Sequence, residues 1–146
     1  ALVIGEEIGD KLGMGFTLNN IGLVHYNKGE YNNAVEHLEK SIAIHKEIGV
    51  KDLELRTTTS LYLTYKHLSK DYDENEIRSL IKDAEKNIEF EINFRLYQLL
   101  DDTTYLETAY NQVQEKASVM EEQLAKKFLS YPTPKAIVEE YNKVFK

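Results

Sequence analysis

The sequence predicts an all-α fold of antiparallel helix pairs, and three observations carry that prediction. Proline occurs only at Pro132 and Pro134, so from Ala1 to Tyr131 nothing forbids helix after helix. Leu, Glu, Lys, Ile and Ala are plentiful, and the β-branched residues fall at helical spacings without alternating. A pattern also recurs. Ile4, Glu7, Ile8, Gly9 and Lys11 reappear as Ile44, Glu47, Ile48, Gly49 and Lys51, all at a shift of 40 residues, a period in the range of stacked helical arrays.

The elements follow in order. Residues 1–9 read as the tail of a helix that starts further upstream, with Gly9 and Gly49 in the left-handed position just past a helix end. A helix is expected over 10–27, with Met14, Leu18, Ile21 and Val24 at helical spacing, and Lys28-Gly29-Glu30 breaks it. The next helix, 31–48, places Tyr31, Ala34, Val35, Leu38, Ile42 and Ile48 on one stripe. Gly29 allows a tight reversal, Tyr31 wedges into the corner, and Ala34 and Gly22 are small because the two helices approach closely there. Residues 10–49 thus form the best unit.

A degenerate second unit covers 50–92. Its first helix, 52–69, turns Leu55, Leu61, Tyr62, Tyr65 and Leu68 inward; Asp73 and Glu76 make a capping pair for a helix reaching Phe90. Tyr72 stands near the place of Tyr31, but no Gly matches Gly29, so a looser reversal is expected. Asn93 echoes Gly49 as a left-handed cap. A short helix through Leu96, Leu99 and Leu100 and a helix of some 25 residues fill 93–130, the latter capped by Thr104 and Glu107. Its residues Leu106, Tyr110, Val113, Ala117, Met120 and Leu124 form either a coiled-coil seam or the core face of a long capping helix. The last helix, 131–146, starts with Thr133 as N-cap and Pro134 at the first helical position.

Composition narrows the function. The 146 residues fit a single domain over 1–146. The absence of cysteine excludes disulfides, thiol nucleophiles and sulfur-ligated zinc. A net charge of −7 disfavours nucleic acid and anionic membrane surfaces as partners. No apolar run approaches the roughly 20 residues that span a bilayer, no basic-then-apolar leader precedes the first helix, and a cytoplasmic location is expected.

Asn20-Ile21-Gly22, Gly29, Tyr31, Ala34 and Leu38 resemble the signature of the tetratricopeptide repeat, whose helix pairs stack into a right-handed superhelix. The period of 40 and the Glu-Ile-Gly ending resemble the long variants of kinesin light chains and bacterial signalling proteins. KKFLSYPTPKAIVEEY is similar to the closing helices of tetratricopeptide regions in bacterial sensors that carry cyclase or ATPase modules.

Catalytic and metal chemistry finds no footing. His37 and His45 lie eight residues apart, about 12 Å along a helix, too far to share an ion. His25 reads as a packed imidazole with one hydrogen bond, and His67 as a helix-ending residue suited to the dipole. Asp71-Tyr72-Asp73 begins like a calcium loop, but Glu76 occupies the glycine place and Lys82 that of the bidentate Glu. Gly9, Gly13 and Gly15 lack a preceding strand and a following Gly-Lys-Ser or Gly-Lys-Thr, so close helix packing explains them better than a phosphate cradle. With no nucleophile, base and orienter set, no enzyme activity, cofactor or metal is expected.

What the resemblance implies is a concave groove lined by the first helix of each pair. On this register Phe16, Asn19, Asn20, Leu23 and Asn27 face inward, joined by Arg56, Thr59, Ser60, Leu63, Lys66 and His67. Asn20 resembles the asparagine with which related arrays hold a peptide backbone, donating to a C=O and accepting from an N–H; the cationic clamp for a terminal carboxylate is absent at the matching positions. The same Asn and Thr residues equally suit a solvated, empty face. The function expected is protein or peptide binding by the terminal part of a repeat region. The alternative is a structural element whose long C-terminal helix forms a homodimer and transmits a state to an effector.

Overall fold

The computed structural model describes residues 2–84 and 88–146, with side chains from residue 7 onward. These residues form helices throughout, in two compact units divided at residues 86 and 87. The first holds α1 (Leu2–Asn27), α2 (Tyr31–Ile48), α3 (Lys51–His67) and α4 (Glu74–Asp83); the second holds α5 (Phe90–Leu100), α6 (Thr103–Ser118), α7 (Glu122–Ser130) and α8 (Pro132–Phe145). Among the described residues there is no strand.

The α1–α2 hairpin rests on small residues. A methyl group built on Gly22 would stand 2.7 Å from Leu38 Cγ, and Ala34 and Leu38 are fully buried. The close crossing expected from Gly22 and Ala34 is therefore present. Gly15 extends it, since a methyl there would come within 2.6 Å of His45 Nε2. The packed face of α1 is consequently Gly15, Asn19 and Gly22, while Met14, Ile21 and Val24 are exposed. Small side chains let the backbones approach, and the larger apolar ones lie elsewhere on the helix. Gly9 corrects another expectation: α1 runs straight through it, with open space around it and no left-handed backbone. Continuing the helix satisfies backbone groups that a break would leave unpaired.

Helix ends show the repeat at atomic detail. Gly29 has φ 79°, Gly29 N–H donates to Tyr26 O and Glu30 N–H to His25 O. This pair of bonds is a Schellman motif, which closes the orphan carbonyls of a helix end. Forty residues later Ser69 has φ 58°, with Ser69 N–H donating to Lys66 O and Lys70 N–H to Tyr65 O. The helix end itself is the same motif, built with serine. What differs is the path onward, because α4 begins only at Glu74 whereas α2 begins at Tyr31. A side chain in the left-handed region is strained, so Ser69→Gly is expected to stabilise the first unit by about 0.5–1 kcal/mol. Urea unfolding followed by circular dichroism measures it.

Asp73 caps α4 as expected, Oδ1 accepting from the N–H groups of Asn75 and Glu76. The Glu76 carboxylate does not reach back; it accepts instead from the Tyr62 hydroxyl at 2.7 Å and from Lys46 at 3.3 Å. The helix then stops at Asp83, well short of Phe90.

In the second unit four boundaries differ from expectation. Asn93 lies inside α5, buried, its amide donating to Ile88 O and to Gln112 Oε1 while Gln112 Nε2 donates to the same carbonyl. The amide thus ties α5 to α6, and the left-handed residue is Asp101 at the end of α5. Asp102, two residues before the expected Thr104, caps α6 by accepting from Thr104 N–H. The run of some 25 residues is two helices, interrupted at Val119–Glu121. The last helix begins at Pro132 with Tyr131 as its N-cap, not with Thr133 and Pro134, so both prolines sit in the first turn, where helix N–H groups have no partner to lose. Phe90, Ala109, Val113 and Ile137 form the core there, flanked by Phe94, Tyr110, Phe128, Leu129 and Val138.

Candidate functional site

Helices α1 and α3 of the first unit carry every residue expected to line a groove, and they divide by burial. Asn19, Thr59, Ser60 and Leu63 are buried, so they support the face from beneath. The Thr59 and Ser60 hydroxyls both donate to Arg56 O, which spends their hydrogen bonds on their own helix. Asn20, Asn27, Lys66 and His67 are exposed, Phe16 is 39% exposed, and Leu23 and Arg56 are half-buried. These seven residues form the accessible part of the set.

The division at Asn19 and Asn20 follows from helix geometry. Successive residues are about 100° apart around the axis, so one amide turns into the α1–α2 contact and the next faces out. Asn20 keeps an exposed donor and acceptor on a neutral side chain. The Asn19 Oδ1 atom is buried without a hydrogen-bond partner. His67 is fixed by its neighbours: Nε2 lies 2.9 Å from the Tyr26 hydroxyl, and the ring stacks on Tyr31 at 4.7 Å and 12°. Tyr31 therefore wedges into the corner as expected, with an aromatic partner from α3 that spacing did not reveal.

Beneath this face lies a polar junction of α1, α2 and α3. His45 is 1% exposed, with Nδ1 3.1 Å from Thr57 Oγ1 and Nε2 unpartnered against Gly15. Phe16 packs its ring edgewise on the imidazole at 6.0 Å. Burial lowers the His45 pKa, an effect that the Leu53 carbonyl and the Glu54 carboxylate oppose. Ser41 Oγ donates to Gly15 O at 2.7 Å, closing the same crossing. Periodicity could not flag His45 as interior, since a histidine on the α2 stripe looks like any polar interruption.

Among the described residues no group of three or more His, Asp or Glu side chains is arranged to hold a metal, and no helix is long and apolar enough to cross a membrane. The exposed residues of the face offer amide, cationic and aromatic groups on α1 and α3.

A family model for the tetratricopeptide repeat matches residues 17–48, which covers the C-terminal part of α1 and all of α2. The chain carries a tetratricopeptide repeat. Neither a curated protein nor a solved structure shows significant similarity to it. The tetratricopeptide repeat points to a protein–protein interaction module, and the matched residues contain Asn20, Gly22, Gly29, Ala34 and Leu38, whose geometry is described above. The all-α architecture of paired helices agrees with that assignment.

Proposed function

We propose that the accessible face of α1 and α3 binds an extended peptide segment of a partner protein, or of another domain of a longer parent chain. The observation that carries this reading is the exposed amide of Asn20 on the matched repeat, together with the exposed Lys66 and the half-buried Arg56 on α3. Asn20 donates to a peptide carbonyl and accepts from a peptide N–H, while Arg56 and Lys66 meet acidic side chains. The two cations give a local basic strip on a chain of net charge −7. The long-repeat variant, a signalling parent and a cytoplasmic location belong to this same reading, resting on the 40-residue recurrence and the closing-helix resemblance.

The test is a titration of the isotopically labelled chain with a peptide recovered by affinity capture. Amide shifts are expected at Asn20, Asn27 and Lys66, and shifts confined to α6–α8 would reject the assignment. With the same peptide, the affinity lost on Arg56→Ala is expected to shrink as salt rises from 0.05 to about 0.5 M, because screening weakens charge pairing.

The second reading, dimerisation through the C-terminal helices, rests on Val119 at 84% and Leu124 at 55% exposure. The break at Val119–Glu121 divides the seam it needs into two short pieces. Light scattering on the parent and on Met120→Glu decides it: a dimer lost on substitution supports this reading, and a monomer at tens of micromolar removes it.

A further inference from the structure

The turn between α1 and α2 brings together two histidines that lie 12 residues apart in sequence. His25 in the last turn of α1 stacks beside His37 in α2, ring centroids 5.1 Å apart and planes at 30°. His25 Nδ1 lies 3.1 Å from Glu30 Oε1, and His37 Nδ1 lies 2.8 Å from Asn33 O. A carboxylate and a carbonyl oxygen only accept, so in each neutral ring Nδ1 carries the hydrogen and Nε2 the lone pair. Neither Nε2 makes a hydrogen bond among the described residues, and both side chains are partly exposed.

We propose that His25 and His37 form a two-histidine site for a borderline divalent transition-metal ion of the Zn2+ or Ni2+ class, its remaining positions taken by water. Both rings already have the orientation device of metal-bound histidine, in which the non-ligating N–H donates to a carboxylate or carbonyl and fixes the tautomer. The spacing agrees as well. An ion about 2.1 Å from each Nε2 lies roughly 3.2 Å from each ring centroid, and centroids 5.1 Å apart then subtend about 105° at the ion, near the tetrahedral angle. The chemistry selects imidazole-binding ions over Mg2+ and Ca2+, which prefer oxygen ligands. The site is independent of the peptide-binding reading.

The experiment is calorimetric titration of ZnCl2, and separately MgCl2, into the 146-residue chain, alongside His25→Gln, His37→Gln and His67→Gln. The expected result is one saturable Zn2+ site, no Mg2+ site, about tenfold or greater weakening by either of the first two substitutions, and none by the third. Circular dichroism confirms that each variant remains helical. Imidazole nitrogen spectra give a readout that does not depend on variants: the Nε2 resonances of His25 and His37 should move together on adding Zn2+ while their Nδ1–H groups persist. Absence of saturable Zn2+ binding, binding unchanged in both variants, or nitrogen shifts at other histidines alone would overturn the proposal.

Discussion

Gly22→Ala is expected to destabilise the first unit by about 1–3 kcal/mol, the usual cost of forcing extra carbon into a packed crossing. The methyl would stand 2.7 Å from Leu38 Cγ and 2.8 Å from Cδ2. Leu38 is fully buried, and the branch point of a leucine cannot swing aside as a chain end can. The backbones must therefore part, which also loosens the contacts of Ala34 beneath. For a unit of this size each kcal/mol shifts the thermal midpoint by roughly 4–8 °C. Gly13→Ala is the matched control, on the same helix but with nothing within 4 Å of the added methyl. It should raise stability by about 0.5–1 kcal/mol, since alanine loses less backbone entropy than glycine on entering a helix. Opposite signs for the two substitutions, measured by thermal melts, would establish the α1–α2 register. Equal effects would refute it.

The second large effect concerns acid. Burial holds the His45 pKa below its ordinary value of 6.5, so in the unfolded chain the ring takes up a proton at a higher pH than in the fold. The stability linked to His45 is fully present above pH 6.5 and is lost as pH falls from there through the lower folded value. Protonation inside would place a charge among Gly15, Phe16 and Thr57, with Glu54 the acidic group that opposes the shift. The urea midpoint of the first unit is expected to drop between pH 7.5 and pH 5. His45→Gln, a neutral side chain of related reach, should be less stable at pH 7.5 and show a flatter profile. A profile as steep as the parent's would show that other groups govern the acid response.

Sequence disclosed those parts of the fold in which one residue type meets a local demand. Gly29 and Gly49 adopt left-handed backbone, and Gly22 and Ala34 occupy the tight crossing. These requirements are short-range, and few residue types satisfy them. Gly9 shows where the reasoning ends, because glycine tolerates a helix interior as well as a helix end and its surroundings decide. Met14, Ile21 and Val24 mark a related blind spot: an apolar stripe gives the period of a helix but not which face meets its neighbour, and here small residues define that face. The interruption of α6 and α7 has no proline or glycine to announce it. At the site, the types of side chain were legible and their burial was not. The burial of Thr59, Ser60 and Leu63, like the pairing of His25 with His37, is set by helices that only the fold brings together.

The most direct test of the binding face is calorimetry with a captured peptide against the parent chain and Asn20→Ala. A backbone group left unpaired on binding costs about 1–3 kcal/mol. The account predicts that affinity weakens by roughly five- to more than a hundredfold, that this loss persists at high salt because a neutral amide is hardly screened, and that the melting midpoint stays within a degree or so because Asn20 is exposed. Unchanged affinity in a variant with an unchanged melt would contradict it, and would place the binding surface away from α1 and α3.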